Sequence, residues 1–229
     1  MLTYLFSILK MRTIAAQDTC PEEERYGYLR KIVHKVMWGR RFIRTDGYGI
    51  ENLPAEGGYV MYPNHQGKYD AYGIISVHEK TCTAVMDKEK SYDLFIKQVI
   101  DMLKGKRLDK QDVRQAFTVI NEITEEVKQG RRYIIFPEGE YDDEKKNTLW
   151  EFKAGCFKTS LKSKTPVVPV ALVDSYKAWN SSQWGLVTTQ VHFLKPIPYE
   201  EYAGMKTQEL AELVKSRIQE KLDEVCPAE

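Results

Sequence analysis

His65 and Asp70 stand five positions apart in the stretch MYPNHQGKYD, on either side of Gly67 and directly after a short apolar run. A carboxylate beside an imidazole can hold Nδ1–H and so fix the tautomer, which leaves Nε2 as a general base. Neighbours on one helix face lie three or four residues apart, so this pair requires a turn, which Gly67 is able to supply. No serine or cysteine sits locally to be activated. The proton taken would then belong to a substrate hydroxyl that attacks an acyl donor directly, without an acyl-enzyme. The same spacing also fits a loop histidine bonded to a helix-capping aspartate, and the pair alone does not separate the two readings.

The elements that must position this pair follow from periodicity. The run YVMY, after a turn-rich NLPAEGG linker, predicts a buried strand that delivers Asn64 and His65 at its C-terminal end. Further strands are expected at 81–87, at 133–136 ending in Pro137, at 165–173 with a break at Pro169, and in VHFLKPI. Val113, Ala116, Phe117, Ile120, Ile123 and Val127 recur at helical steps, and Gly130 supplies a stop. Helices are also expected in SYDLFIKQVIDML and after Thr207. Strands alternating with helices define an α/β fold, with a mixed, largely parallel sheet flanked by helices.

The N-terminal part reads differently. Residues 25–44 carry Tyr26, Leu29, Val33, Val36 and Met37 on one helical stripe, surrounded by seven Lys and Arg residues with no acid among them. Such a helix can lie in the headgroup boundary over anionic lipid, or it can pack on a core with its basic face in water. The apolar segment MLTYLFSIL just upstream favours the lipid reading. It is too short to span a bilayer and has no cation before it, so it is expected to lie on the surface or to be re-entrant rather than to be a cleaved signal. The expected organisation is therefore a membrane-association region over residues 1–50 and an α/β domain over 51–229.

A formal net charge of +1 argues against a globally basic nucleic-acid binder. The four cysteines show no CxxC spacing, so they read as free thiols in a reducing compartment. Cys156 reads as a small buried hydrophobe rather than a nucleophile. The acidic stretch YDDEKKN is expected to be a solvated turn, not a metal site.

Three short blocks occur in order: NHQGKYD at 64–70, FPEGE at 136–140 and VVPVAL at 167–172. Together they resemble the 1-acylglycerol-3-phosphate acyltransferases, a family of glycerolipid acyltransferases, over about Asn52 to Pro198. The resemblance implies that His65 is the general base and Asp70 its orienting partner. Asn64 and Gly67 share that turn, and backbone amides at 64–67 would polarise the thioester carbonyl. A second block with a phosphate-binding arginine resembles KGKRLDKQDVRQ, but Lys110 stands where the arginine is usual, so Lys110, Arg107 and Arg114 share that role. In the third block Glu138 and Gly139 match as substrate-binding positions. The family's following threonine and arginine are replaced by Glu140 and Tyr141, with Lys153 and Lys158 as candidate substitutes.

What the resemblance implies is transfer of a fatty acyl group from acyl-ACP or acyl-CoA to the free hydroxyl of 1-acyl-sn-glycerol-3-phosphate, giving phosphatidic acid. The implied partners are lysophosphatidic acid, an acyl carrier protein or coenzyme A thioester and an anionic membrane surface, with no nucleic acid, metal or cofactor. The implied place is the cytoplasmic face of the cell membrane. A different lysophospholipid or glycerol-phosphate acceptor, and a non-catalytic lipid-binding module of the same fold, stand as alternatives.

Overall fold

The structure is a computed structural model, and it describes residues 2–17, 19–180 and 185–227. The chain opens with α1 (Leu2–Ala15) and α2 (Glu22–Arg41), followed by β1 (Ile43–Tyr48), β2 (Tyr59–Pro63), α3 (Asp70–Val77) and β3 (Thr83–Asp87). It continues with α4 (Leu94–Met102), β4 (Lys106–Leu108), α5 (Val113–Lys128), β5 (Arg132–Ile134), α6 (Lys158–Ser163) and β6 (Val167–Val173). The last elements are α7 (Lys177–Asn180), β7 (Val187–Phe193), α8 (Tyr199–Tyr202) and α9 (Thr207–Val225).

The seven strands form one sheet in the order β1-β7-β6-β2-β5-β3-β4, parallel at every pairing except β6 with β7. Both faces are covered, as a parallel sheet requires. Along β2 the side chains alternate: Tyr59 and Met61 enter the core beneath α1–α4, whereas Val60 and Tyr62 enter the core beneath α5, α6 and α9. β6 is buried throughout and divides likewise, with Val168, Val170 and Leu172 on the first face. The expected break at Pro169 does not occur. β6 continues through it, and the proline carbonyl accepts Leu194 N–H at 3.0 Å.

Local signals account for the clearest helix. Asp112 caps α5 by accepting the N–H groups of Arg114 and Gln115, both at 3.0 Å, and such a cap contributes about 1 kcal/mol. The helix ends before Gly130, which takes a left-handed φ of 102° that other residues rarely adopt.

The N-terminal region departs from expectation. Helix α2 stops at Arg41, because Phe42 takes a left-handed φ of 49° and the chain turns into β1, which pairs in parallel with β7. The sheet therefore begins inside residues 1–50. The apolar stripe of α2 faces protein rather than lipid: Tyr26, Leu29, Ile32 and Val33 are buried in the core beneath α1–α4. Even Arg25, counted on the basic face, is buried and lies 3.8 Å from Glu22. Core packing wins because burying four large apolar side chains, at roughly 2 kcal/mol each, outweighs headgroup attraction of about 1 kcal/mol per exposed cation. Exposed apolar groups remain on α1, where Phe6 and Leu9 point to solvent. Among the described residues no helix is long and apolar enough to cross a membrane.

Candidate active site

The site lies beyond the C-terminal end of β2, flanked by the ends of β5 and β6, where an open α/β sheet commonly presents its ligands. Asn64 continues the pairing after β2 ends. Its amide donates to the Leu172 carbonyl at 3.1 Å and its carbonyl accepts Leu172 N–H at 2.7 Å, a side-chain imitation of a ladder rung. Asn64 is thus a clamp that fixes where the next residue stands.

That residue is His65. Its Nδ1 donates to Asp70 Oδ2 at 2.6 Å, and Asp70 is fully buried as the first residue of α3. The same oxygen accepts the amides of Gln66 at 2.5 Å and Gly67 at 3.0 Å, and the Gly67 carbonyl accepts Asp70 N–H. Gly67 therefore closes the turn through its amide and carbonyl, without a left-handed φ. The carboxylate oxygen that takes these three donors is fixed in place, and it holds the imidazole in a single orientation.

Glu138 buttresses the other side of the histidine. Its Oε1 accepts His65 N–H at 2.9 Å, while Oε2 takes Trp150 N–H at 3.2 Å and an ion pair from Lys145. Glu138 and Lys145 are both almost fully buried, and burial lowers the Lys145 ammonium below its usual value although Glu138 pulls it back up. Gly139 follows with a φ of 73°, and a side chain there would press against Lys153. The Gly139 carbonyl accepts Lys110 Nζ at 2.8 Å.

The loop expected to be a solvated turn is part of the site. Tyr141 stands edge-on to His65 with ring centroids 4.7 Å apart, while Phe136 stacks on the same imidazole at 4.2 Å. Lys145 reaches Glu138, and Asn147 accepts from Gln66 at 2.8 Å and donates to Asp174 at 3.1 Å. Nothing local in YDDEKKN signalled this, because the partners lie elsewhere in the chain. Asp142, Glu144 and Lys146 do face water, whereas Lys145 and Asn147 turn inward to their partners.

Two apolar cavities meet at His65. One, of about 450 Å³, runs beneath α5 past Leu108, Val113, Ala116 and Ile120. The other, of about 370 Å³, runs under α3 and α4 past Tyr72, Ile75, Ile96 and Ile100. Val85 and Met86 of β3 line both, so the cavities flank the sheet on opposite faces.

The expected cations separate. Lys110 lines the larger cavity but is shared among Asp87 at 3.1 Å, the Gly139 carbonyl and Glu140 at 3.6 Å. Arg107 is held away from both cavities by Asp101 at 2.6 Å and Ser91 at 3.0 Å. Arg114 and Lys158 are exposed and line neither, whereas Lys153 and Lys90 do line the larger one. Lys90 was missed in the sequence because it sits on a 3₁₀ turn after β3 with no motif around it.

Three of the four backbone amides expected as oxyanion donors are not free either. The amides of His65, Gln66 and Gly67 are all committed to carboxylates. Cys156 also lines the larger cavity, but it is not poised as a nucleophile: its thiol donates to the Lys153 carbonyl and burial pushes it up to about 12.

An α/β sheet covered on both faces, carrying a histidine–aspartate dyad where two apolar clefts converge, defines the class. A sequence profile of the acyltransferase family matches residues 44–173, more than half of the chain, and the protein belongs to that family. A 1-acyl-sn-glycerol-3-phosphate acyltransferase of Saccharomyces cerevisiae is 30% identical over 197 residues, covering 84% of this chain and 63% of the yeast protein. A chloroplastic enzyme of the same name from Brassica napus is 28% identical over 207 residues, covering 86% of this chain and 58% of its own. The chain thus spans about three fifths of the length of these relatives. The crystal structure of the 1-acyl-sn-glycerophosphate (LPA) acyltransferase PlsC from Thermotoga maritima superposes with a TM-score of 0.74 at 19% identity, covering all of this chain and 90% of the other. The expected fold is borne out by that match.

Proposed function

We propose that the protein transfers a fatty acyl group from an acyl-ACP or acyl-CoA thioester to the free hydroxyl of 1-acyl-sn-glycerol-3-phosphate, forming phosphatidic acid. One observation carries this reading: the His65 imidazole, anchored at Nδ1 by Asp70, stands where two apolar cavities join. Cavities of about 450 and 370 Å³ fall within the size range of small-molecule sites, and transfer between two lipids needs two chains to reach one base. The names and extents of the relatives support the same substrates.

In this reading Nε2 takes the proton of the acceptor hydroxyl as its oxygen attacks the thioester carbonyl carbon. The carbon–sulfur bond then breaks, and the imidazolium returns its proton to the departing thiolate. Asp70 stabilises the imidazolium that forms between the two steps. No acyl-enzyme, metal or prosthetic group takes part. Lys110, Lys90 and Lys153, all on the wall of the larger cavity, supply the charge for the acceptor phosphate.

The protein works at the cytoplasmic face of the cell membrane as a peripheral enzyme. Attachment falls to α1, whose Phe6 and Leu9 are exposed, with Lys10 and Arg12 beside them. Removing residues 1–44 would destroy the core under α2, so Phe6→Ser with Leu9→Ser is the cleaner test: loss of flotation with anionic liposomes supports the attachment, and unchanged flotation contradicts it.

Glu140, 3.6 Å from Lys110 where the family has an arginine nearby, favours a second reading with a different lysolipid acceptor. A labelled acyl thioester offered with lysophosphatidate or with other lysolipids on anionic vesicles decides between them. Preferred transfer to lysophosphatidate supports the first reading. Transfer only to another acceptor supports the second, and no transfer to any acceptor sinks both.

A further inference from the structure

The geometry points to Ser175 as a positioning residue for the His65–Asp70 pair, an inference that rests on the acyl-transfer reading for its kinetic consequence but not for its geometry. The two oxygens of Asp70 are treated differently. Oδ2 collects His65 Nδ1 and the amides of Gln66 and Gly67. Oδ1 accepts the hydroxyl of Ser175, which is itself buried and comes from 105 residues further along the chain.

Ser175 is in turn held from the histidine turn. Its N–H donates to Gln66 Oε1 at 2.8 Å, and Gln66 Nε2 donates to the Leu172 carbonyl and to Asn147 Oδ1, both at 2.8 Å. The end of β6 and the residue after His65 are thus cross-linked on both sides of the carboxylate. A carboxylate is free to rotate about its Cβ–Cγ bond unless both oxygens are held. The hydroxyl of Ser175 holds the second oxygen, which limits that rotation and keeps Oδ2 facing Nδ1.

It also completes the acceptor's partners inside a buried site, where an unpaired carboxylate oxygen is costly. The charges near the pair include the Lys145–Glu138 ion pair, Asp174, which pairs with Lys177 at 2.7 Å and takes the Asn147 amide, and Lys68 and Lys90 on the cavity walls. None of them donates to Oδ1.

Ser175→Ala in the full chain is expected to lower kcat about tenfold, the share of one charge-assisted hydrogen bond that fixes an orientation, with KM for both substrates within about twofold. The proton resonance of His65 Nδ1–H, read without any substrate, is expected to move upfield as its anchor loosens. Ser175→Thr, which keeps the hydroxyl, restores both. Native kcat and an unmoved resonance in Ser175→Ala, or a folded Ser175→Thr as impaired as the alanine variant, would overturn the assignment.

If the alanine variant does not fold, Ser175→Cys keeps the volume with a weaker donor. Its loss of kcat must vanish in an Asp70→Asn background, and an equal loss in both backgrounds contradicts the inference. Because the resonance needs no acceptor lipid, it separates failure of this assignment from failure of the proposed substrate.

Discussion

His65 precedes α3 and His78 follows its last turn, and each ring gives its Nδ1–H to an oxygen at 2.6 Å. At His65 the acceptor is the Asp70 carboxylate, Nε2 is left to the cavities, and the side chain is 16% exposed. At His78 the acceptor is the Lys80 carbonyl, Nε2 accepts the Tyr59 hydroxyl at 2.7 Å, the Tyr26 hydroxyl bonds its backbone carbonyl, and no surface is left exposed. Burial lowers the His78 imidazole to about 4, whatever its neighbours add. What distinguishes a base from a pin is thus the fate of the second nitrogen. A histidine whose two nitrogens are both bonded inside a core cannot move a proton, whereas one with a charged anchor and an open nitrogen can.

The largest effect that sharpens this contrast is expected from Asp70→Asn. Its carboxamide has one acceptor oxygen where Asp70 receives four donors, so the imidazole loses its tautomer and its aim, and kcat falls by about 10²- to 10⁴-fold. Steady-state transfer kinetics measure this. A loss under fivefold would place His65 with His78 as a structural histidine.

Next is the buried pair behind His65. Lys145→Met leaves the Glu138 carboxylate buried without its cation, and chemical denaturation is expected to show a loss of about 3–5 kcal/mol. A loss below about 1 kcal/mol would return this lysine to the solvated loop that the sequence alone indicates.

The third effect belongs to His78. Its folded value of about 4 lies below the ordinary 6.5, so between those pH values the unfolded chain binds a proton that the folded chain does not. The stability contribution is intact above pH 6.5 and declines as pH falls toward 4, by about 3 kcal/mol in all. Replacing His78 with Gln removes that pH dependence. Urea unfolding of both proteins across this range tests the sign, and a native curve that stays flat would contradict the assignment.

The smallest effect concerns the cations. Arg107 is turned to Asp101 and Ser91, so Arg107→Ala is expected to change KM for the lysolipid less than threefold, whereas Lys110→Ala raises it about tenfold. The reverse ranking would give the phosphate to Arg107, which the sequence offered beside Lys110 and Arg114.

How much of this was legible follows from the range of the interactions. Helices α5 and α9 were readable because their apolar faces repeat locally, and β2 and β6 because their runs are short and apolar between turns. Strand β1 was not, since IRTDGY is a polar edge strand whose identity depends on pairing with β7, some 140 residues away. Helix α3 escaped notice because it has eight residues with Gly73 among them. At the site, the pair His65 and Asp70 is a local pattern and was found. Ser175, Lys145 and Asn147 act through contacts made only when β6 and the loop after β5 close over the turn, and no periodicity records that closure.

The most direct test of the central claim compares His65→Ala and His78→Ala side by side, for acyl transfer to lysophosphatidate and for thermal unfolding. The account predicts that the first loses transfer by at least about 10³-fold while melting like the native protein, and that the second melts earlier while its folded fraction turns over at close to the native rate. Retained transfer in a folded His65→Ala protein would contradict it.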